Sequence, residues 1–170
     1  VGKTALPHIF PLIARGLQER FPGSAAGVKS GAAGAKNAPK AAAPLTIIIA
    51  ENIRAGAAYF EKELGPHLED SFPLREKVGL VETSIGKMVP LMTDEDKKQD
   101  PLWVFAEEYN QLIVDKQGFA GEIPLEVEGL YPVENITAYV DRKLFIHNLG
   151  HASGAYFGFW YHPRAQYMYE

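Results

Sequence analysis

The sequence predicts an α/β fold of the doubly wound kind. Three observations carry that expectation. An amphipathic helix precedes a continuous β-branched run, Leu45-Thr46-Ile47-Ile48-Ile49-Ala50. A polar tip, Glu51-Asn52, ends the run, and a second helical pattern follows at once. Strand, polar tip and helix form the repeating unit of such sheets, whose ligands sit beyond the carboxyl ends of the strands.

The elements follow in chain order. From Leu6 to Phe21, apolar Ile9, Leu12, Ile13 and Leu17 recur at helical spacing. Pro7 and Pro11 crowd the first half, so the regular helix is expected to begin near Pro11. The run 45–50 suits a strand buried on both faces, and Ile53–Leu64 reads as the next helix. Val78–Ser84 and Lys87–Met92 read as short strands, and Met92–Asp100 as a charged loop. Trp103–Tyr109 and Leu112–Val114 are apolar enough for another strand or two. Gly118–Pro132 holds loop and turn residues. Val133-Glu134-Asn135 then opens one long helix to about Tyr156, with Ile136, Val140, Leu144, Ile146 and Leu149 as inward candidates. The last fifteen residues hold seven of the nineteen aromatics.

Composition excludes several classes. The 170 residues are 46% hydrophobic and 22% charged, which suits a packed core. Cysteine is absent, so there is no disulfide framework, thiolate metal site or thiol catalysis. A net charge of −4 offers no basic field for nucleic acid. Apolar runs fall far short of the roughly 20 residues of a membrane span. No secretory leader is visible, and the expected location is cytoplasmic. A start at Val1 predicts an internal piece of a longer chain. Residues 23–44 contain nine Ala, four Gly and three Lys with no acid or aromatic, a weakly basic, flexible surface insertion.

Several motifs are weak. Val1-Gly2-Lys3-Thr4 matches the end of a phosphate-binding loop, but Pro7 and Pro11 damage the helix that would cradle phosphates. The glycines of 23–34 do not form G-x-G-x-x-G. His147 and His151 have zincin spacing, but Asn148 stands where the general-base Glu belongs. No metal is expected.

The strongest constellation runs from Lys143 to His151. At about 100° per residue, Lys143, His147 and His151 fall near 0°, 40° and 80°, and Asn148 near 140°. One sector of an apolar helix then carries an amine, a carboxamide and imidazoles. A Lys half-buried among apolar groups loses proton affinity and can exchange a proton with an alcohol or carbonyl. Asn148 can donate to the oxygen as it gains alkoxide character, and His151 can position a neighbouring hydroxyl. The plainer reading is a Lys that snorkels to solvent beside incidental polar residues. Asn52, at the expected ligand crevice, can meet a cofactor carboxamide or a substrate oxygen; its plainer reading is a helix N-cap.

Together these segments resemble the polyol-specific long-chain dehydrogenases, most closely the mannitol-1-phosphate 5-dehydrogenases. The signature K-x4-N-x2-H appears as Lys143, Asn148 and His151. Asp141-Arg142-Lys143-Leu144-Phe145, Ile48-Ile49-Ala50-Glu51-Asn52 and Ile113-Val114-Asp115-Lys116 resemble the same branch in the same order. The likeness covers nearly all of the chain except 22–44. It implies the C-terminal part of a Rossmann-type NAD-binding domain over residues 1–131, then the start of an all-helical substrate domain over 132–170.

The resemblance further implies metal-independent, NAD-dependent interconversion of D-mannitol 1-phosphate and D-fructose 6-phosphate. Lys143 would be the general acid/base, Asn52 and Asn148 would polarise the substrate oxygen, and His151 would hold a substrate hydroxyl. Val1, Gly2 and Asn52 would lie near the cofactor. Arg142 and Lys87 are candidate phosphate cations; for both, surface solubility is the alternative. Gly86 and Lys87 replace an Asp-Arg pair common in close relatives. The expected partner is a small sugar phosphate, with no nucleic acid or membrane, on a monomer or weak dimer. A sister activity on a free polyol or a sugar acid remains open, as does a scaffold with no activity of its own.

Overall fold

The computed structural model describes residue 2 and residues 4–22 and 42–167. Val1 and most of the Ala/Gly-rich segment therefore lie outside the described residues. Among the described residues a four-stranded sheet has the order β1-β2-β3-β4: Leu45–Ile49, Val78–Ile85, Leu112–Asp115 and Leu130–Val133. Six α-helices of the described residues accompany it: α1 (Leu6–Arg20), α2 (Gly56–Leu64), α3 (Leu74–Lys77), α4 (Asp94–Gln99), α5 (Ile136–Arg142) and α6 (Leu149–Tyr161).

Helix α1 starts at Leu6, earlier than expected, because Pro7 occupies the first turn, where no N–H is needed. Its buried face is Leu6, Phe10, Ala14 and Leu17, so Leu12, placed inward by the spacing argument, is exposed instead. Phe10 meets Phe60 edge-on at 5.1 Å, which locks α1 onto α2. Strand β1 is less buried than its apolar run suggests. Among the described residues it lies at one edge of the sheet, and Ile48 is exposed while Ile49 joins the core.

β1 and β2 run parallel, with Leu45 opposite Val78 and Ile49 opposite Glu82. β3 then pairs antiparallel to β2, and β4 parallel to β3. The parallel order breaks at β3, which follows the connection 86–111 and its six-residue α4.

Lys87–Met92 and Trp103–Tyr109 form no strands. Lys87 Nζ instead donates to the carbonyl oxygens of Glu107 and Tyr109, at 3.0 and 2.8 Å, and ties the two segments side by side. The stretch read as a charged loop contains α4, started by a capping box between Thr93 and Asp96. β4 takes the last three residues of the stretch read as turns together with Val133; Pro132 tempers its strand signal.

The single helix expected to open at Val133-Glu134-Asn135 and run to about Tyr156 starts only at Ile136, because Val133 ends β4, and it is three pieces. Asn135 caps α5 by accepting from the Ala138 N–H at 3.2 Å. Lys143–Asn148 then forms a π-helical turn before α6. Only Ile136 and Val140 of the five inward candidates are buried, in a cluster with Ile113 and Val133. Leu144, Ile146 and Leu149 are exposed, because the helix leaves the sheet after Val140.

Candidate active site

Two side chains of β2 tie the site's elements together. Thr83 donates its hydroxyl to the Ile49 carbonyl at 2.8 Å, joining β1 to β2. Ser84 donates to the Tyr139 carbonyl at 3.3 Å, joining β2 to α5. Both are buried. The carboxyl ends of β1 and β2 therefore face the last turn of α5, where Lys143 begins the π turn.

There Lys143 Nζ donates to Asn52 Oδ1, 91 residues away in the chain. Lys143 is half-buried, and burial pushes its ammonium below the ordinary value. Desolvation is the cause: it disfavours the charged form. The amine is held by the exposed Asn52 carboxamide rather than left to solvent alone. Asn52 is not a helix cap. α2 begins at Gly56, behind Ala55, which takes a left-handed φ of 54°.

Lys143 and Ser84 line two neighbouring cavities. The larger holds about 460 Å³ and is bounded also by Glu107, Tyr109, Arg142 and His147. The smaller holds about 140 Å³ and is bounded also by Glu51, Asn52, Thr83 and Asn148. Lys143, Asn52 and Asn148 thus come together as expected. His151 does not line either cavity. Its Nε2 lies 3.2 Å from Nε2 of His147, and the latter reaches the larger cavity. The helix wheel puts Asn148 at the edge of the sector; the π turn, with i→i+5 bonding, resets its angle.

The remaining candidates fall into place separately. Gly2, at φ 81°, donates its backbone N–H to Glu51 Oε1 at 2.8 Å, beside the β1 tip. Arg142 lays its guanidinium over the Tyr139 ring at 4.9 Å and borders the larger cavity. Lys87 spends three donor contacts on Glu107, Tyr109 and Asn110 oxygens, so its ammonium braces the loop. Sequence reasoning missed Ser84, Tyr139 and Arg54. Tyr139 could have been found, one turn before Lys143 on the same helix. Among the described residues, no three His, Cys, Asp or Glu side chains gather as a metal cluster. None of the described helices is long and apolar enough to cross a membrane.

Residues 1–127 match the family model of the mannitol dehydrogenase Rossmann domain. The chain belongs to the mannitol dehydrogenase family. That membership makes the sheet part of a Rossmann-type domain, makes NAD the cofactor, and makes the family reaction a polyol oxidation. The residues present suit a nicotinamide cofactor. A glycine of positive φ with open space at its Cα lies by the β1 tip, and a carboxamide stands at the end of that strand. The match stops before β4, so the Lys143 helix lies outside it.

Proposed function

We propose that the protein interconverts D-mannitol 1-phosphate and D-fructose 6-phosphate with NAD, and that Lys143 is the general acid/base. The Lys143–Asn52 contact at the junction of two cavities supports this reading most directly. Bound NAD supplies the hydride acceptor. Lys143, as the free amine, takes the hydroxyl proton from the substrate carbon that loses hydride. Asn52 and Asn148 donate N–H to the oxygen, which carries the most charge in the transition state. His151 acts through His147, which reaches the cavity. Gly2 and Asn52 would hold the nicotinamide end. No metal enters this scheme: the amine does the proton work.

The pH dependence follows from the lowered Lys143 ionisation. Polyol oxidation needs the free amine, so kcat rises with pH through that ionisation, with its midpoint below 10.5. Ketone reduction needs the ammonium and falls through the same range. The sign for stability agrees. The unfolded chain holds this proton more tightly, so the folding penalty of the buried ammonium is full below the folded-state value. It fades as pH climbs from there to the unfolded value. Rate–pH profiles in both directions check this; profiles unchanged in Lys143→Arg would assign the ionisation to another group.

Of the two candidate phosphate cations, Lys87 is committed to the loop, which leaves Arg142. That observation favours a second reading, a free polyol or a sugar acid. Assays of fructose 6-phosphate, fructose, tagaturonate and fructuronate with NADH decide between them. The expected result is the highest kcat/KM for fructose 6-phosphate, with its KM raised in Arg142→Ala. A higher kcat/KM for fructose or either acid overturns the phosphate assignment. The cytoplasm, where sugar phosphates reside, is the proposed location.

A further inference from the structure

We infer that the Arg54–Asp141 ion pair is a positioning clamp that holds the 51–55 loop against α5, so that the Asn52 carboxamide meets the Lys143 amine. The pair joins residues 87 apart in the chain. Arg54 Nε lies 3.2 Å from Asp141 Oδ1, and Nη2 donates to Oδ2 at 3.3 Å. Asp141 Oδ1 is itself buried, and its Nε contact is too far off-line to be a hydrogen bond. The guanidinium is thus what faces that oxygen.

The placement gives the pair its role. Arg54 is two residues beyond Asn52, and Asp141 is two residues before Lys143. The clamp and the Asn52–Lys143 contact therefore bridge the same two segments side by side. The loop needs such ties. Ala55 sits at φ 54°, a conformation that non-glycine residues keep only when their surroundings hold them. Its N–H donates to Glu82 Oε1 at 3.0 Å, which anchors the loop's far end to β2. That anchor reaches the sheet, whereas the clamp and the Asn52–Lys143 contact reach the helix.

Stability is not the pair's purpose. With side chains 59% and 34% exposed, the pair is largely screened and adds little to folding. Position is another matter, since a displacement of about 1 Å at a reacting group can cost about 100-fold in rate.

The kinetic arm of the test rests on the dehydrogenase reading; the exchange arm does not. In the full-length protein, Arg54→Ala and Asp141→Asn should each lower kcat about 10-fold, with the KM for NADH and the melting temperature unchanged. Arg54→Lys should recover part of the loss, and the double variant should be no slower than the worse single one. Hydrogen exchange at residues 51–55 should quicken about 10-fold in Arg54→Ala, with β1 and β2 unaffected. An unchanged kcat, additive losses or a matching fall in melting temperature would overturn the clamp. If the wild-type protein reduces none of the substrates tried, the dehydrogenase reading has failed. The exchange data then decide alone, and unaltered exchange at 51–55 ends the proposal.

Discussion

Replacing Lys143 with alanine should lower kcat for the proposed reduction of fructose 6-phosphate by at least about 100-fold, the usual scale for losing a general acid/base. The KM values for substrate and NADH change little, because the amine acts chiefly in the transition state. The structure gives the reason in three parts. The amine is half-buried at the junction of two cavities, it is directed at Asn52, and desolvation lowers its proton affinity. Among the described residues no other lysine borders either cavity, so no neighbouring amine substitutes for it. Steady-state kinetics on the variant check this, and turnover near the wild-type rate would remove Lys143 from the role.

The largest expected effect on folding lies away from the site. Gly79 in β2 packs directly against the backbone of the 118–120 segment. A Cβ there would stand 2.3 Å from the Ala120 nitrogen, 2.6 Å from the Gly118 oxygen and 2.9 Å from the Phe119 carbonyl carbon. These are backbone atoms and cannot swing aside as a side chain would. Gly118 meets Leu80 and Val81 from the other side, and a Cβ on it would stand 2.4 Å from the Leu80 oxygen. Gly79→Ala must therefore separate β2 from the turn after β3, at a cost of about 3 kcal/mol or more. For a chain of this size that lowers the melting temperature by roughly 6–12 °C. Calorimetry measures it; a melting temperature within about 2 °C of wild type would mean that the two backbones do not meet this way.

Much of the fold is legible where local signals agree. The isoleucine run of β1 and the apolar spacing of α1 locate both elements. Asn135 marks the start of α5 because a cap residue stands before an apolar period. Lys143, Asn148 and Asn52 are legible because a spaced signature and a strand tip need no tertiary information.

The misreadings share a cause: contacts between distant segments. Lys87–Met92 has strand composition, yet its partner is a loop braced by one ammonium. The reversal of β3 is a pairing of Thr83–Ile85 with Leu112–Val114, which no local signal in either segment specifies. Ile146 reads as inward only when a fixed angular step is carried past Val140. Arg54 gives no signal, since an isolated arginine acquires its meaning only from Asp141, 87 residues later.

The π turn at Lys143–Asn148 has a consequence for how the helix can evolve. It acts as a phase slip between two gears. The α5 gear is meshed with the sheet through Ile136 and Val140, while the α6 gear turns free of it. Adding or removing one residue beyond Asn148, within the regular α6, would turn everything after it by about 100°. Lys143, His147 and Asn148 precede such a change and would keep their places at the cavities. Geometry on the far side can therefore be re-timed by a single insertion or deletion without touching the core.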